Sequence, residues 1–65
     1  MQILVNGETT PLADHSSLAD LIRELGLSGR LAVEVNREIV PRSQFERHVL
    51  EEGDRVEIVN AIGGG

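Results

Sequence analysis

The chain has 65 residues and no cysteine, so one small hydrophobic core must hold it together without disulfide bonds. A domain of this size buries only about 60% of the surface that its unfolded chain exposes, which leaves little room for a catalytic cavity. Hydrophobic residues make up 40% of the chain and charged residues 26%, a balance typical of a folded domain. We therefore expect a single domain that other proteins bind, with no enzymatic activity of its own.

The charge and the apolar pattern exclude two further classes. Eleven acidic and six basic side chains give a net charge of −5, which argues against an electrostatic nucleic-acid binder. Apolar runs such as residues 3–5 are far shorter than the roughly 20 residues of a membrane-spanning helix. The first residues also lack the pattern of a secretory signal peptide, so we expect a cytoplasmic protein.

The N-terminal segment predicts a β-hairpin. Residues 2–5 are mostly apolar, and Asn6-Gly7 follows them directly. This pair favours a type I′ turn, because both central residues of that turn need a positive φ. The returning strand should run over residues 8–12, and Pro11 within it suits an edge strand.

One amphipathic helix should follow the hairpin. Its apolar residues recur with the helical period and share one face: Leu18, Leu21, Ile22 and Leu25. We expect Ser17 to be the N-cap, with Asp20 as an imperfect capping-box partner, and Gly26 to end the helix. This stripe should supply half of the core.

The middle of the chain predicts two more strands. Residues 31–35 alternate between larger apolar residues and alanine or glutamate, as in a half-buried strand. Asn36-Arg37 should turn the chain into a short strand that Pro41 ends.

A helical turn and a last strand should complete the fold. Ser43 and Glu46 fit a capping box, which predicts a turn or two of helix, with Phe45 pointing inward. A final strand over residues 55–60 should place alternate residues in the core. The element order predicts an α+β fold with a mixed four- to five-stranded sheet packed on one main helix.

The polar residues before the last strand give no strong catalytic or metal site. His15 and His48 have no neighbours that would complete a ligand set, and we interpret them as exposed polar residues. Three serines are expected to cap helices: Ser16, Ser17 and Ser43. The acidic residues near the last strand are expected to form a solvated turn rather than a metal site: Glu46, Glu51, Glu52 and Asp54.

The sequence closes with Gly63-Gly64-Gly65, directly after the last predicted strand. A phosphate-binding loop would need a helix behind it, whereas a frayed terminus is a plausible alternative. A tail without side chains can also enter a narrow active-site channel where any Cβ would clash. We therefore predict a folded domain over residues 1–62 and a flexible glycine tail over residues 63–65. The tail would deliver the carboxylate of Gly65 to a partner enzyme for activation.

Four segments precede the tail in a characteristic order: residues 1–7 (MQILVNG), 17–22 (SLADLI), 35–42 (VNREIVPR) and 52–59 (EGDRVEIV). In these segments, in its length and in the tail, the chain resembles the sulfur carrier proteins of thiamine biosynthesis, the ThiS group of ubiquitin-like carriers. The resemblance implies a β-grasp fold, in which the first and last strands lie parallel and adjacent beneath the helix.

The resemblance also implies a role for the tail. An E1-like adenylating enzyme would activate Gly65 with ATP and magnesium, while the chain itself binds no cofactor. Cysteine-derived sulfur would then give a C-terminal thiocarboxylate, which thiazole synthase uses to build the thiazole ring of thiamine. The family motif carries over to Gly64 and Gly65. Gly63 extends the tail, and Ala61 and Ile62 are expected to form the adjacent partner-binding segment.

Three other functions remain open at this stage. The small subunit of molybdopterin synthase would use the same chemistry, although such relatives tend to be longer, and residues 39–42 favour the thiamine branch. A ubiquitin-like modifier would be conjugated to lysines of target proteins. A plain interaction module would have an inert tail.

Overall fold

The computed structural model describes residues 1–60. It contains a five-stranded sheet, one α-helix and one short 3₁₀ helix. In chain order the elements are β1 (Gln2–Val5), β2 (Glu8–Pro11), α1 (Leu18–Glu24), β3 (Leu31–Val35), β4 (Glu38–Val40), the 3₁₀ helix (Arg42–Gln44) and β5 (Arg55–Asn60). The predicted α+β class and element order are confirmed.

The last strand occupies the middle of the sheet. The strand order is β2-β1-β5-β3-β4, with β5 parallel to β1 and antiparallel to β3. The parallel register pairs Leu4 with Arg55 and Val5 with Val56. The first and last strands are thus adjacent and parallel, as the resemblance implied, and the β-grasp prediction is confirmed.

The first hairpin forms as predicted. Asn6 has a φ of 49° and Gly7 a φ of 86°, the two positive values that a type I′ turn requires. β2 lies at the edge of the sheet, where the missing N–H of Pro11 interrupts no ladder on its outer side.

The capping of α1 also agrees with the prediction. The Ser17 hydroxyl accepts a hydrogen bond from the Asp20 backbone N–H at 3.1 Å, and the Asp20 carboxylate accepts one from the Ser17 N–H at 2.9 Å. Gly26, with a φ of 70°, follows the C-cap residue Leu25. The prediction for Leu25 was wrong, because α1 ends at Glu24 and the Leu25 side chain remains 39% exposed.

Two further serine assignments were wrong. Ser43 lies inside the 3₁₀ helix and does not cap it, because the helix begins one residue earlier, at Arg42, after the extended N-cap residue Pro41. The Pro41 carbonyl already accepts a hydrogen bond from the Gln44 N–H, so the backbone closes the turn without a side-chain cap. The Ser16 hydroxyl donates to the Ala13 carbonyl at 2.6 Å, which leaves the cap to Ser17.

The core lies between α1 and the inner face of the sheet. Leu18 and Leu21 of the helix are fully buried, and Phe45 is 7% exposed, as predicted. The loop before β5 covers the start of the helix, because the N–H groups of Leu18 and Ala19 donate to loop carbonyls at 2.8 and 2.9 Å. The other buried hydrophobic residues are Ile3, Val5, Leu12, Val33, Val35, Val40, Leu50, Val56 and Ile58.

The length of the helices bears on membrane insertion. Within residues 1–60, no helix has both the length and the apolar character needed to cross a bilayer.

Candidate functional site

The candidate site begins where β5 ends. β5 is the middle strand of the sheet, and it ends at Asn60, which lies opposite Leu31 of β3. The predicted site residues follow Asn60 and lie outside the described residues: Ala61, Ile62, Gly63, Gly64 and Gly65. Their predicted roles remain predictions, and the described part of the site is the strand that leads to them and its surroundings.

Asn6 binds the part of β5 that extends past β1. β1 turns away at Asn6, yet the Asn6 side chain continues the ladder. Its Oδ1 accepts a hydrogen bond from the Ile58 N–H at 2.8 Å, and its Nδ2 donates to the Ile58 carbonyl at 3.1 Å. The carboxamide thus replaces one peptide group of a neighbouring strand, and it keeps β5 in register toward its C-terminal end.

Asn36 makes an equivalent contact at the start of β5. It is the first residue of the turn between β3 and β4, with a φ of 52°. Its Oδ1 accepts from the Arg55 N–H at 3.0 Å, and its Nδ2 donates to the Asp54 carboxylate at 3.0 Å. Two asparagines at positive φ therefore hold the strand that leads to the tail.

From the sequence, both asparagines were predicted only as turn residues. The one local signal for these contacts was the presence of asparagine at a turn position whose positive φ glycine could also adopt. Asparagine in the left-handed region keeps a carboxamide that can bind main-chain groups elsewhere. The partner on β5 is 52 positions away from Asn6 and cannot be identified from local pattern.

The outer face of the sheet, on the side away from α1, carries an exposed apolar patch next to this strand. Ile39 is 77% exposed and Val59 is 60% exposed. Ala32 of β3 lies opposite Val59 of β5, and the next pair toward the end of β5 is Leu31 with Asn60. We call Ala32, Ile39 and Val59 the outer patch.

Two carboxylates border the outer patch. Glu34 and Glu57 are directly opposite each other on β3 and β5, and Glu34 is also opposite Ile39 on β4. These side chains and the outer patch line a shallow hollow of about 200 Å³. The apolar floor and acidic border together can receive an apolar chain that ends in a positive charge.

The remaining polar residues have structural contacts. His15 is exposed as predicted, whereas the prediction that His48 is exposed was wrong: His48 is half-buried, and its carbonyl accepts a hydrogen bond from the Leu18 N–H at the start of α1. Residues 1–60 contain no group of three metal-ligating side chains placed to hold an ion. The Glu52 carboxylate accepts from the Gln2 N–H at 3.0 Å, and that of Asp54 accepts from the Glu51 N–H at 2.9 Å. The acidic turn therefore uses one carboxylate to bind the start of β1 and another to bind its own backbone before β5.

Two carboxyl groups far from β5 in the chain are shifted in pKa. A hydrogen bond from the N-terminal ammonium group, 3.1 Å away, lowers the pKa of Asp14. The backbone N–H of Ser17, followed by the Arg23 guanidinium at 2.9 Å, lowers the pKa of Asp20. Both shifts arise from contacts that stabilise the fold.

A helix packed on a mixed sheet, with the last strand central and parallel to the first, defines a β-grasp protein of the ubiquitin-like class. A family model described as the ThiS family matches residues 3–65. The chain belongs to the ThiS family.

Individual relatives agree with this assignment. The sulfur carrier protein ThiS of Escherichia coli (strain K12) is 32% identical over 66 residues, covering all of both chains. The crystal structure of a thiamine biosynthesis protein (ThiS) from Geobacter metallireducens is 29% identical, covers all of both chains and superposes with a TM-score of 0.87.

A third relative is much longer than this chain. A thiazole synthase of Paramagnetospirillum magneticum (strain ATCC 700264 / AMB-1) is 41% identical over 66 residues. The match covers all of this chain but only 20% of that protein. The present chain therefore spans about a fifth of the length of this relative.

Proposed function

We propose that the chain is a sulfur carrier of thiamine biosynthesis and that it carries the sulfur on the carboxyl group of Gly65. The observation that carries this proposal is the match to the E. coli sulfur carrier protein over the full length of both chains. In this scheme residues 1–62 form the domain that partners bind, and residues 63–65 form the tail that enters their active sites. The chain is then a substrate and carrier, acting in the cytoplasm, and not an enzyme.

The first step activates the tail. A carboxylate is a poor electrophile, so an E1-like adenylating enzyme would join it to the α-phosphate of ATP. Pyrophosphate leaves, and a mixed anhydride with AMP forms. ATP and magnesium belong to the active site of that enzyme. Glycines at positions 63–65 suit a narrow channel, because a tail without Cβ atoms can pass close to backbone and phosphate groups.

The second step installs the sulfur. A sulfur atom that derives from cysteine, at the oxidation level of hydrosulfide, attacks the carbonyl carbon of Gly65 and displaces AMP. The product is a thiocarboxylate, a better nucleophile than the original carboxylate. The chain has no cysteine of its own, so no side-chain thiol competes for the activated acyl group.

Thiazole synthase is the proposed acceptor. The P. magneticum thiazole synthase includes, within one polypeptide, a segment that matches this whole chain. Covalent linkage raises the effective concentration of two modules that act together. This relationship supports thiazole synthase as the partner that receives sulfur from the separate chain. Transfer of the sulfur and hydrolysis would return the Gly65 carboxylate for another cycle.

Pyrophosphate release tests the first step. The chain is mixed with ATP, magnesium and the adenylating enzyme of the same organism, and pyrophosphate is measured over time. We expect release that depends on the chain and that is lost when Gly65 is deleted. The Glu24→Gln variant, changed at an exposed position of α1, should behave like the wild type. Release that is equally fast without Gly65 would contradict the proposal.

Co-purification tests the pathway. A tagged chain should retain thiazole synthase from a lysate of its own organism. Retention of the large molybdopterin synthase subunit instead would assign the chain to the molybdopterin branch. Isopeptide adducts to other proteins on a denaturing gel would assign it to the modifiers.

A further inference from the structure

The outer patch and the two glutamates beside it form a surface that the carrier chemistry does not itself require. The patch exposes aliphatic side chains on three adjacent strands: Ala32 on β3, Ile39 on β4 and Val59 on β5. A folded chain gains nothing from exposing Ile39 at 77% and Val59 at 60% together on one face. Such a patch, bordered by polar groups, is typical of a protein interaction site.

Charge identifies the chemistry of the occupant. Glu34 and Glu57 are directly opposite each other, an arrangement of like charges that destabilises a sheet. Arg37 and Arg55 border a second hollow with these glutamates. Within residues 1–60, neither arginine comes within the 4.0 Å of a glutamate oxygen that an ion pair requires. In the described part of this structure neither carboxylate is therefore committed to an ion pair with these arginines.

We propose that the hollow receives an arginine or lysine side chain from the adenylating enzyme. Its aliphatic stem would lie on Ile39 and Val59, and its charged end would lie between the carboxylates of Glu34 and Glu57. Long cationic side chains combine these two properties, and a guanidinium can bind carboxylates through two parallel hydrogen bonds. The inference rests on the proposed function for the identity of the partner.

The position of the hollow favours an enzyme that acts on the tail. Val59 is one residue before Asn60, and five residues follow Asn60 in the sequence. Five residues span at most about 17 Å when fully extended. An enzyme that holds Gly65 in its active site therefore lies within about 17 Å of Asn60, close enough to contact the sheet surface around Val59. A second copy of this chain is a poorer occupant, because each copy carries a net charge of −5 and would repel the other.

Binding in the absence of ATP tests the surface without testing the chemistry. The dissociation constant of the full chain with the adenylating enzyme is measured by titration calorimetry at low and high salt. We expect Ile39→Ser and Val59→Ser each to weaken binding by about tenfold, as for apolar residues near the centre of an interface. The double variant Glu34→Gln/Glu57→Gln should weaken binding at low salt and reduce its salt dependence.

Matched controls separate this surface from the rest of the molecule. Val49→Ser changes a valine that is 52% exposed and outside the sheet, and Glu24→Gln removes a charge from α1. Both should bind within twofold of the wild type. Circular dichroism of every variant verifies that it is folded, which is expected because all substituted side chains are exposed.

The outcomes distinguish the docking surface from the carrier function. If the wild type releases pyrophosphate but the patch variants bind as tightly as the wild type, the docking inference is overturned and the carrier function stands. If binding depends on the patch but Gly65 is never activated, the carrier function fails and the docking surface stands. If Ile39→Ser only dissociates a dimer seen by sedimentation, with no change in enzyme binding, the hollow belongs to a second copy and the inference is overturned.

Discussion

Replacement of Asn6 should destabilise the protein by disrupting β5, although Asn6 is an exposed residue in a turn. Asn6→Gly retains a residue that accepts the observed φ of 49° but removes both hydrogen bonds to Ile58. Asn6→Ala removes the same bonds and also replaces asparagine by a residue that adopts the left-handed region less readily. The comparison separates the side-chain contacts from the conformation of the turn.

The expected magnitude follows from the two contacts. Each intramolecular hydrogen bond contributes about 0.5–1.5 kcal/mol net, so their loss should cost about 1–3 kcal/mol. Glycine also raises the entropy of the unfolded chain, at a cost of about 0.4–1 kcal/mol. Alanine avoids that entropy but adopts the left-handed conformation less readily than asparagine, a conformation that costs an ordinary L-residue about 1–2 kcal/mol. A chain of this length has a total stability of only about 3–10 kcal/mol, so either change is substantial.

Urea unfolding followed by far-ultraviolet circular dichroism measures this loss. The chain has no tryptophan or tyrosine, so intrinsic fluorescence gives no useful signal. The two contributions together are about 1.4–4 kcal/mol for Asn6→Gly. With a denaturant slope of about 1 kcal/mol per molar urea, we expect the midpoint to fall by about 1.4–4 M. A midpoint within about 0.3 M of the wild type would refute the argument that Asn6 holds β5 in place.

Three further predictions use the same measurement. Arg37→Gly should raise the free energy of unfolding by up to about 1 kcal/mol, because Arg37 has a φ of 71° at a type I′ position that favours glycine. A decrease would show that the Arg37 side chain makes an offsetting contact. Ser17→Ala should lower the free energy of unfolding by about 1 kcal/mol through loss of the N-cap of α1. No change would show that the loop carbonyls suffice to hold the start of the helix. The lowered pKa values of Asp14 and Asp20 mean that the unfolded chain binds more protons in acid. The contribution of these two carboxylates to the free energy of unfolding should be fully present above about pH 4 and lost as the pH falls through their folded-state pKa values. The double variant Asp14→Asn/Asp20→Asn should therefore lose less stability between about pH 5 and pH 2 than the wild type. An equal loss would contradict the assignment of the acid sensitivity to these two groups.

Most of the fold could be predicted because its signals are local. Asn6-Gly7 specifies a turn, Ser17 specifies where α1 begins, and the alternation in residues 31–35 specifies a strand. The capping box at Ser43 failed because a preceding proline started the turn earlier and the backbone closed it alone. The parallel pairing of β1 and β5 came from the resemblance to a family and not from periodicity.

The candidate site was predictable only in part, because its residues become neighbours through non-local strand pairing. Alternation showed that Val59 points away from the core, but the strand order decides which outward residues become neighbours. Ala32, Ile39 and Val59 meet only because β5 lies beside β3 and β3 beside β4. The contacts of Asn6 and Asn36 with β5 are non-local in the same way, across 52 and 19 positions. Gly65 was identified from sequence alone, and its role remains a proposal.

Intact mass after reaction tests sulfur carriage by Gly65 most directly. The chain is incubated with ATP, magnesium, its adenylating enzyme and a sulfide source, and compared with a variant that lacks Gly65. We predict a gain equal to the replacement of one oxygen atom by sulfur, located by fragmentation at Gly65 and absent from the variant. An unchanged mass, with an enzyme that demonstrably forms the adenylate of another carrier, would contradict the claim that this chain carries sulfur.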